Sequence, residues 1–282
     1  MRLQKKNLKE DSVWLADPST FNDPYDCAYA LDIEYLNKKY MSEYFGSKDC
    51  NVDLSAGLMK EIISSENPFS KWADYMFREE PEERRDAIQS QLEALQRKMS
   101  EDFATYSSRK NAGNFKVCSF SERKDSLLMW AHYADNHKGF CLEYDIKSMS
   151  YRDLRRRFMY PVIYSEKMFD ATDYMHGNVK DGRNVLHLNL AALTKAIDWR
   201  YEKEWRLVFS NGVLLMPQKC YIGKPTHLYL GSKMEDTDQE DLIDICKSKE
   251  IPYSMMRPHH REFKVEPVSL HEAKNAFIKS DA

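Results

Sequence analysis

The chain has 282 residues, of which 42% are hydrophobic, 31% charged and 12% aromatic, with only 9 Gly and 10 Pro; this excludes collagen-like, low-complexity and disordered classes. That length lies near the upper end of what one hydrophobic core supports. A formal net charge of −3 gives nucleic acid or an anionic membrane no overall field to follow, and no apolar run is long enough to span a bilayer.

The basic amino-terminal segment is not followed by an apolar stretch, so no secretory signal is recognisable. The 6 cysteines, Cys27, Cys50, Cys118, Cys141, Cys220 and Cys246, form no Cys-x-x-Cys pair, which fits reduced thiols in a cytoplasmic protein. Ser12 to Ala16 reads as a strand, and the Pro, Asp and Asn residues of DPSTFNDPYD close it in a structured loop. From Ala28 to Ser108 apolar positions recur every three or four residues, which predicts a mostly polar helical insertion over 28–110. Its clearest helix begins at Pro81 and carries Ile88, Leu92, Leu95, Met99, Phe103 and Tyr106 as one stripe. Too few heptads are present for a coiled coil, so core packing is favoured over pairing with a second copy; the oligomeric state stays open.

After Gly113 the pattern alternates. Asn114 to Phe120 reads as a strand, Asp125 to Ala134 as a helix capped by Asp125, and Gly139 to Tyr144 as a second strand in a hairpin-like β-α-β arrangement. A strand over Tyr160 to Tyr164, a helix over Val185 to Ile197 and strands over Glu204 to Phe209 and His227 to Leu230 follow. A helix over Asp238 to Ser248 and short strands around Tyr253 and Phe263 complete the chain. With no internal repeat or flexible linker, the reading is a single α+β domain with a small mixed or antiparallel sheet and a helical insertion near the amino end.

Two segments carry the candidate chemistry. In the first, Cys118 to Tyr144, Ser119 and Ser121 stand two apart on a strand and share a face. Two hydroxyls so placed can hold a ligand's sugar or position a carboxylate; equally, Ser121 can start a turn. In the following helix Trp130 is most simply core, while His132 and Tyr133 occupy another side. His132 and His137 are five apart rather than four, so metal-ligand spacing is absent and no metal is expected. In the second segment, Asp198 to Phe209, an extended backbone would project Glu202, Glu204 and Arg206 to one face and Trp205, Leu207 and Phe209 to the other. The polar face is either a solvated ion-pair ladder or a catalytic carboxylate pair, with Glu204 stabilising an oxocarbenium-like transition state and Glu202 orienting the acceptor. The basic run Arg152, Arg155, Arg156 and Arg157 reads as a solvated face, and His259 and His260 as a loop.

FNDPYDC (Phe21 to Cys27), VCSFSERKDSLLMWAHYADNHKGFCLEYD (Val117 to Asp145) and YEKEWRLVF (Tyr201 to Phe209) together resemble a bacterial family catalogued as family 2971 of the domains of unknown function. The resemblance spans Val13 to Phe209 and implies a cytoplasmic prokaryotic protein without an established activity. A second resemblance is to mono-ADP-ribosyltransferases, in which a Ser-x-Ser strand and a later Glu-x-Glu surround NAD. It implies that Glu204 contacts the nicotinamide ribose, that Ser119 and Ser121 support the pocket, and that NAD is consumed as a substrate. It also implies an Arg- or His-bearing strand ahead of the FNDP loop, which on this reading the chain starts too late to contain.

The expectation is therefore an ADP-ribosyltransferase-like, NAD-consuming enzyme or defence effector. Glu204 and Glu202 are its catalytic candidates, and Ser119, Ser121, Trp130, His132, Tyr133 and Arg206 its nucleotide-binding candidates. A small nucleotide or a protein is the expected acceptor, with no membrane partner and nucleic acid disfavoured. The competing expectation is a non-catalytic module whose aromatic residues, including Trp130, Tyr133 and Trp205, bind a peptide or nucleotide.

Overall fold

The computed structural model describes residues 2–45, 55–176, 189–210 and 218–273. The fold is mixed α+β. Its first elements are α1 (Arg2–Lys9), β1 (Ser12–Trp14), β2 (Tyr29–Ala30), α2 (Ile33–Phe45), α3 (Ala56–Ser64), α4 (Pro68–Met76) and α5 (Glu82–Ala112). Next come β3 (Phe115–Ser121), α6 (Leu127–Tyr133), β4 (Phe140–Glu143), α7 (Leu154–Arg157), β5 (Met159–Pro161), β6 (Ile163–Ser165), β7 (Phe169–Asp170) and α8 (Thr172–His176). The last are α9 (Asn189–Leu193), β8 (Thr194–Ala196), β9 (Glu204–Ser210), β10 (Lys219–Tyr221), β11 (His227–Leu230), α10 (Asp236–Lys249), β12 (Tyr253–Pro258) and β13 (Val265–Val268).

The chain divides into two compact units, one built from Met1–Asp23, Gly113–Glu166 and Leu193–Ala282, the other from Pro24–Ala112 and Lys167–Ala192. The second contains the helices expected over 28–110. Their starts follow local rules: Ser55 accepts from the Leu58 amide, Asn67 accepts from the Ser70 amide with Pro68 in the first turn, and Glu82 and Glu83 open α5. A seam of Tyr29, Ala171 and Ala191 is buried beside the parallel pair β2–β7. The α5 stripe is not core along its length, since Leu95, Met99, Phe103 and Tyr106 are exposed. Helix α4 meets α5 through polar groups, Ser70 donating to Glu93 at 2.7 Å and accepting from Gln89 at 2.7 Å.

The first unit holds two larger sheets, β3-β9-β5, which is antiparallel, and β13-β12-β11-β4, in which only β11 and β12 are parallel. Helices α1 and α10 bury Leu8, Leu242, Ile245 and Cys246 with Leu228 and Leu230 of β11. Helix α1 has no counterpart in the sequence reading, because its polar segment shows no apolar stripe; Lys5, ion-paired with Asp238 at 2.6 Å and Asp241 at 2.8 Å, helps hold it in place.

Several expected elements differ. Strands β3 and β4 lie in different sheets rather than in one β-α-β unit. Ser126, not Asp125, caps α6 by accepting from the Met129 amide, while Asp125 is paired with Arg123 at 3.0 Å. The strand expected over Tyr160 to Tyr164 is split at Val162 into β5 and β6; Pro161 has no amide to continue the ladder, and the Val162 amide donates to the Glu204 carbonyl at 3.0 Å. Phe263 is fully exposed in a loop, and the last strand begins at Val265. Of the helix expected over Val185 to Ile197, residues 185–188 lie outside the described residues. The remainder is a helix only to Leu193, after which Thr194–Ala196 pairs in parallel with Ile163–Ser165. Strand pairing there overrides the helical periodicity of NLAALTKAI, and it is this change that delivers Lys195 to the candidate site.

Candidate functional site

Strand β9 is the middle strand of its sheet, and its register fixes the site. Ser121 lies opposite Glu204 and Ser119 opposite Arg206, with Tyr160 of β5 on the other flank of Arg206. Alternation puts Leu207 and Phe209 on the opposite face, where they are buried with Leu15 and Ile222. The serine strand and Glu204, some eighty positions apart, therefore meet across one ladder. Ser119 is exposed, and it is among the groups that favour the ionised form of the Glu204 carboxyl.

Glu202 joins them by a different route from the one expected. It is not part of the strand: Ile197–Glu202 is a 3-10 turn that ends at Lys203, whose φ of 44° and ψ of 56° are left-handed. That reversal turns the Glu202 side chain inward beside Glu204. The Ser121 hydroxyl donates to the Glu202 carbonyl at 2.6 Å and accepts from the Arg123 amide at 2.9 Å, so it clamps the turn to β3.

Both acids are buried, 3% exposed for Glu202 and 5% for Glu204, and both are bound by the chain's own donors. Lys195 Nζ lies 2.6 Å from Glu202 Oε2 and 2.9 Å from Glu204 Oε2. Arg206, itself 0% exposed, donates through Nε to Glu204 Oε1 at 2.7 Å and through an Nη to Oε2 at 3.1 Å. Tyr133 donates its hydroxyl to Glu202 Oε1 at 2.6 Å, and the Glu204 amide donates to the Tyr164 hydroxyl at 2.8 Å. Each carboxylate thus has a cation against it, the condition under which charges are tolerated away from water.

Burial alone would raise the Glu204 pKa, but Arg206, Lys195 and the Ser119 hydroxyl outweigh it and hold the carboxyl below its ordinary 4.5. Burial would likewise lower Lys195, yet Glu204 and Glu202 outweigh it and raise the ammonium above 10.5. Tyr133 and Tyr164 are both raised, first by burial and then by the neighbouring carboxylates. Around neutral pH the centre is a lysine and an arginine facing an ionised Glu204.

The aromatic border was only partly foreseen. Lys195 Nζ sits 4.7 Å from the Trp199 ring centre, and His132 lies edge-on to Trp199 at 6.4 Å. Tyr133 is about half exposed, so this side of the centre reaches solvent. Trp130 is elsewhere: it is buried with Ala134, Tyr229, Met256 and Val265, and its indole donates to the Lys124 carbonyl at 2.8 Å. Trp205 points to the far face of β9, where it donates to Glu122 at 2.7 Å. Lys195, Tyr164 and Trp199 were not among the candidate site residues of the sequence reading. The available signal was a lysine inside the apolar run Ala191 to Ile197, which if buried must find a carboxylate.

A depression of about 310 Å³ lies against Lys5, Lys9, Asp241 and Ser248, and no candidate residue lines it. Among the described residues no group of three or more His, Cys, Asp or Glu side chains is placed to hold a metal ion. Burial pushes the Cys118 thiol up to about 12 and those of Cys141 and Cys246 up to about 11, which leaves them unreactive. No described helix is long and apolar enough to cross a membrane.

The span that carries the acid pair, Lys195 and Tyr133 is also the span that compares with a known family. Residues 129–207 match the family described as "Protein of unknown function (DUF2971)". The DUF2971 match takes in Trp130, His132, Tyr133, Lys195, Glu202, Glu204 and Arg206, but stops short of Ser119, Ser121 and the FNDP loop. No curated protein and no solved structure matches the chain.

Proposed function

We propose that the centre formed by Ser119, Tyr133, Lys195, Glu202, Glu204 and Arg206 serves an ADP-ribosyltransferase-like, NAD-consuming enzyme. The observation that carries this reading is the buried, ionised Glu204 held by Lys195 at 2.9 Å and Arg206 at 2.7 Å, beside the half-exposed Tyr133 and the exposed Ser119. Cleavage of the nicotinamide N-glycosidic bond develops positive charge on the ribose, and an ionised carboxylate fixed in a poorly solvated setting stabilises that charge. Arg206 and Lys195 keep Glu204 ionised despite its burial. On this reading Glu202, which accepts from Tyr133 at the half-exposed edge, orients an acceptor from a small nucleotide or a protein.

Purified protein incubated with NAD should release nicotinamide, Glu204→Gln should abolish release, and Ser119→Ala, an exposed substitution, should reduce it with the fold retained. Absence of both NAD binding and nicotinamide release in the parent protein overturns the reading. One observation favours a non-catalytic recognition module instead: both oxygens of Glu202 and both of Glu204 already accept from the chain's own donors. In that case NAD or a related nucleotide binds without turnover.

A further inference from the structure

The basic run at Arg152 to Arg157 has a structure that a solvated charge cluster lacks. Helix α7 is a single turn capped by Asp153, and its adjacent residues Arg155 and Arg156 each lie over a tyrosine ring. The Arg156 guanidinium is 3.9 Å from the ring centre of Tyr151, and that of Arg155 is 5.5 Å from the ring centre of Tyr221 on β10. Neither guanidinium swings freely. Arg156 donates to the Lys147 carbonyl at 3.1 Å and the Met149 carbonyl at 2.6 Å; Arg155 donates to the Tyr221 carbonyl at 3.1 Å and is ion-paired with Asp153. The rings they back nevertheless face solvent, Tyr151 at 81% and Tyr221 at 62% exposure. Lys147, Arg152 and Arg157 on the same stretch are exposed, and none of them is ion-paired to a carboxylate among the described residues.

We infer that this surface binds single-stranded nucleic acid. An exposed ring held flat by a guanidinium on one side offers its other side to a nucleobase, with little entropy left to lose on binding. Exposed cations beside such rings match a phosphate backbone, and a local patch supplies the attraction that the net charge of −3 does not. Duplex nucleic acid, whose bases are already stacked on each other, has no free base face to present to these rings.

The test is fluorescence anisotropy of a labelled twelve-nucleotide oligothymidylate with the full chain, repeated over a range of salt. Neutralisation of phosphates by the three exposed cations predicts a log–log salt slope of about −2. Tyr151→Ala should weaken binding by about 5- to 150-fold, the range expected for loss of one base stack. Tyr151→Phe keeps the ring and should bind like the parent, and the double variant Arg152→Glu with Arg157→Glu should abolish binding. Circular dichroism confirms that each variant folds. The inference is overturned by absence of binding at low salt, by Tyr151→Ala binding like the parent, or by inorganic polyphosphate of matched charge displacing the strand as well as unlabelled oligonucleotide does. Binding to phosphatidylserine vesicles in place of the oligonucleotide would overturn it as well.

Discussion

Replacing Lys195 by Met keeps the length of the side chain and removes its charge, which leaves Glu202 and Glu204 adjacent with Arg206 as the remaining cation beside Glu204. Lys195 makes two contacts shorter than 3 Å, at 2.6 Å and 2.9 Å, and its side chain is 5% exposed, so water does not replace what is lost. Removing one partner of a buried ion pair costs about 3–5 kcal/mol. Lys195→Met should therefore lower the unfolding free energy by that amount at pH 7, read from urea denaturation followed by circular dichroism. The deficit should shrink at pH 5, because two neighbouring carboxylates deprived of their shared cation take up a proton more readily and so relieve the buried excess charge. A loss below about 1 kcal/mol at pH 7, or a deficit that grows on acidification, would show that Lys195 is not the shared partner that holds the two acids.

In the parent protein the depressed Glu204 contributes stability that is present above its unfolded value of 4.5 and is lost as pH falls through its folded value. The raised Lys195 contributes stability that is complete below 10.5 and disappears as pH rises through its folded value, so an unfolding series should show losses at both ends with this centre contributing to each. Tyr133→Phe removes the donor to Glu202 Oε1 at a half-exposed position and should cost about 1 kcal/mol in the same measurement. At Lys203 the left-handed backbone predicts that Gly is neutral within about 1 kcal/mol, whereas the β-branched Lys203→Val costs about 2 kcal/mol; equal effects would argue against the turn that places Glu202. A Cβ at Gly231 would collide with the His137 carbonyl oxygen and stand 2.6 Å from that of Gly139, so Gly231→Ala should cost at least about 2 kcal/mol in thermal or urea unfolding.

The site was legible where local pattern and tertiary partner agree. Ser119 and Ser121 share a face because β3 is a regular strand, and Glu204 and Arg206 share one because β9 is; two-residue periodicity is enough for both. It was not legible where a single backbone angle or a distant partner decides. Glu202 reaches the centre through a left-handed Lys203 rather than through strand alternation, and nothing in Tyr-Glu-Lys-Glu announces that reversal. Lys195 reads as one turn of a helix until β6 pairs with the segment and makes it a strand. Trp130 was read both as core and as a nucleotide-binding candidate, and its ring lies in a core cluster with Tyr229, Met256 and Val265, as the first of those readings had it. The stripe on α5 shows the converse: periodicity identified the helix, yet did not say that Leu95, Met99, Phe103 and Tyr106 would face solvent.

Release of nicotinamide from NAD, followed over time for the parent protein, Glu204→Gln and Ser119→Ala, tests the functional account most directly. It predicts turnover by the parent, none by Glu204→Gln and a reduced rate for Ser119→Ala, with all three folded. A parent protein that neither binds nor cleaves NAD, or a folded Glu204→Gln that cleaves it at the parent's rate, would contradict it.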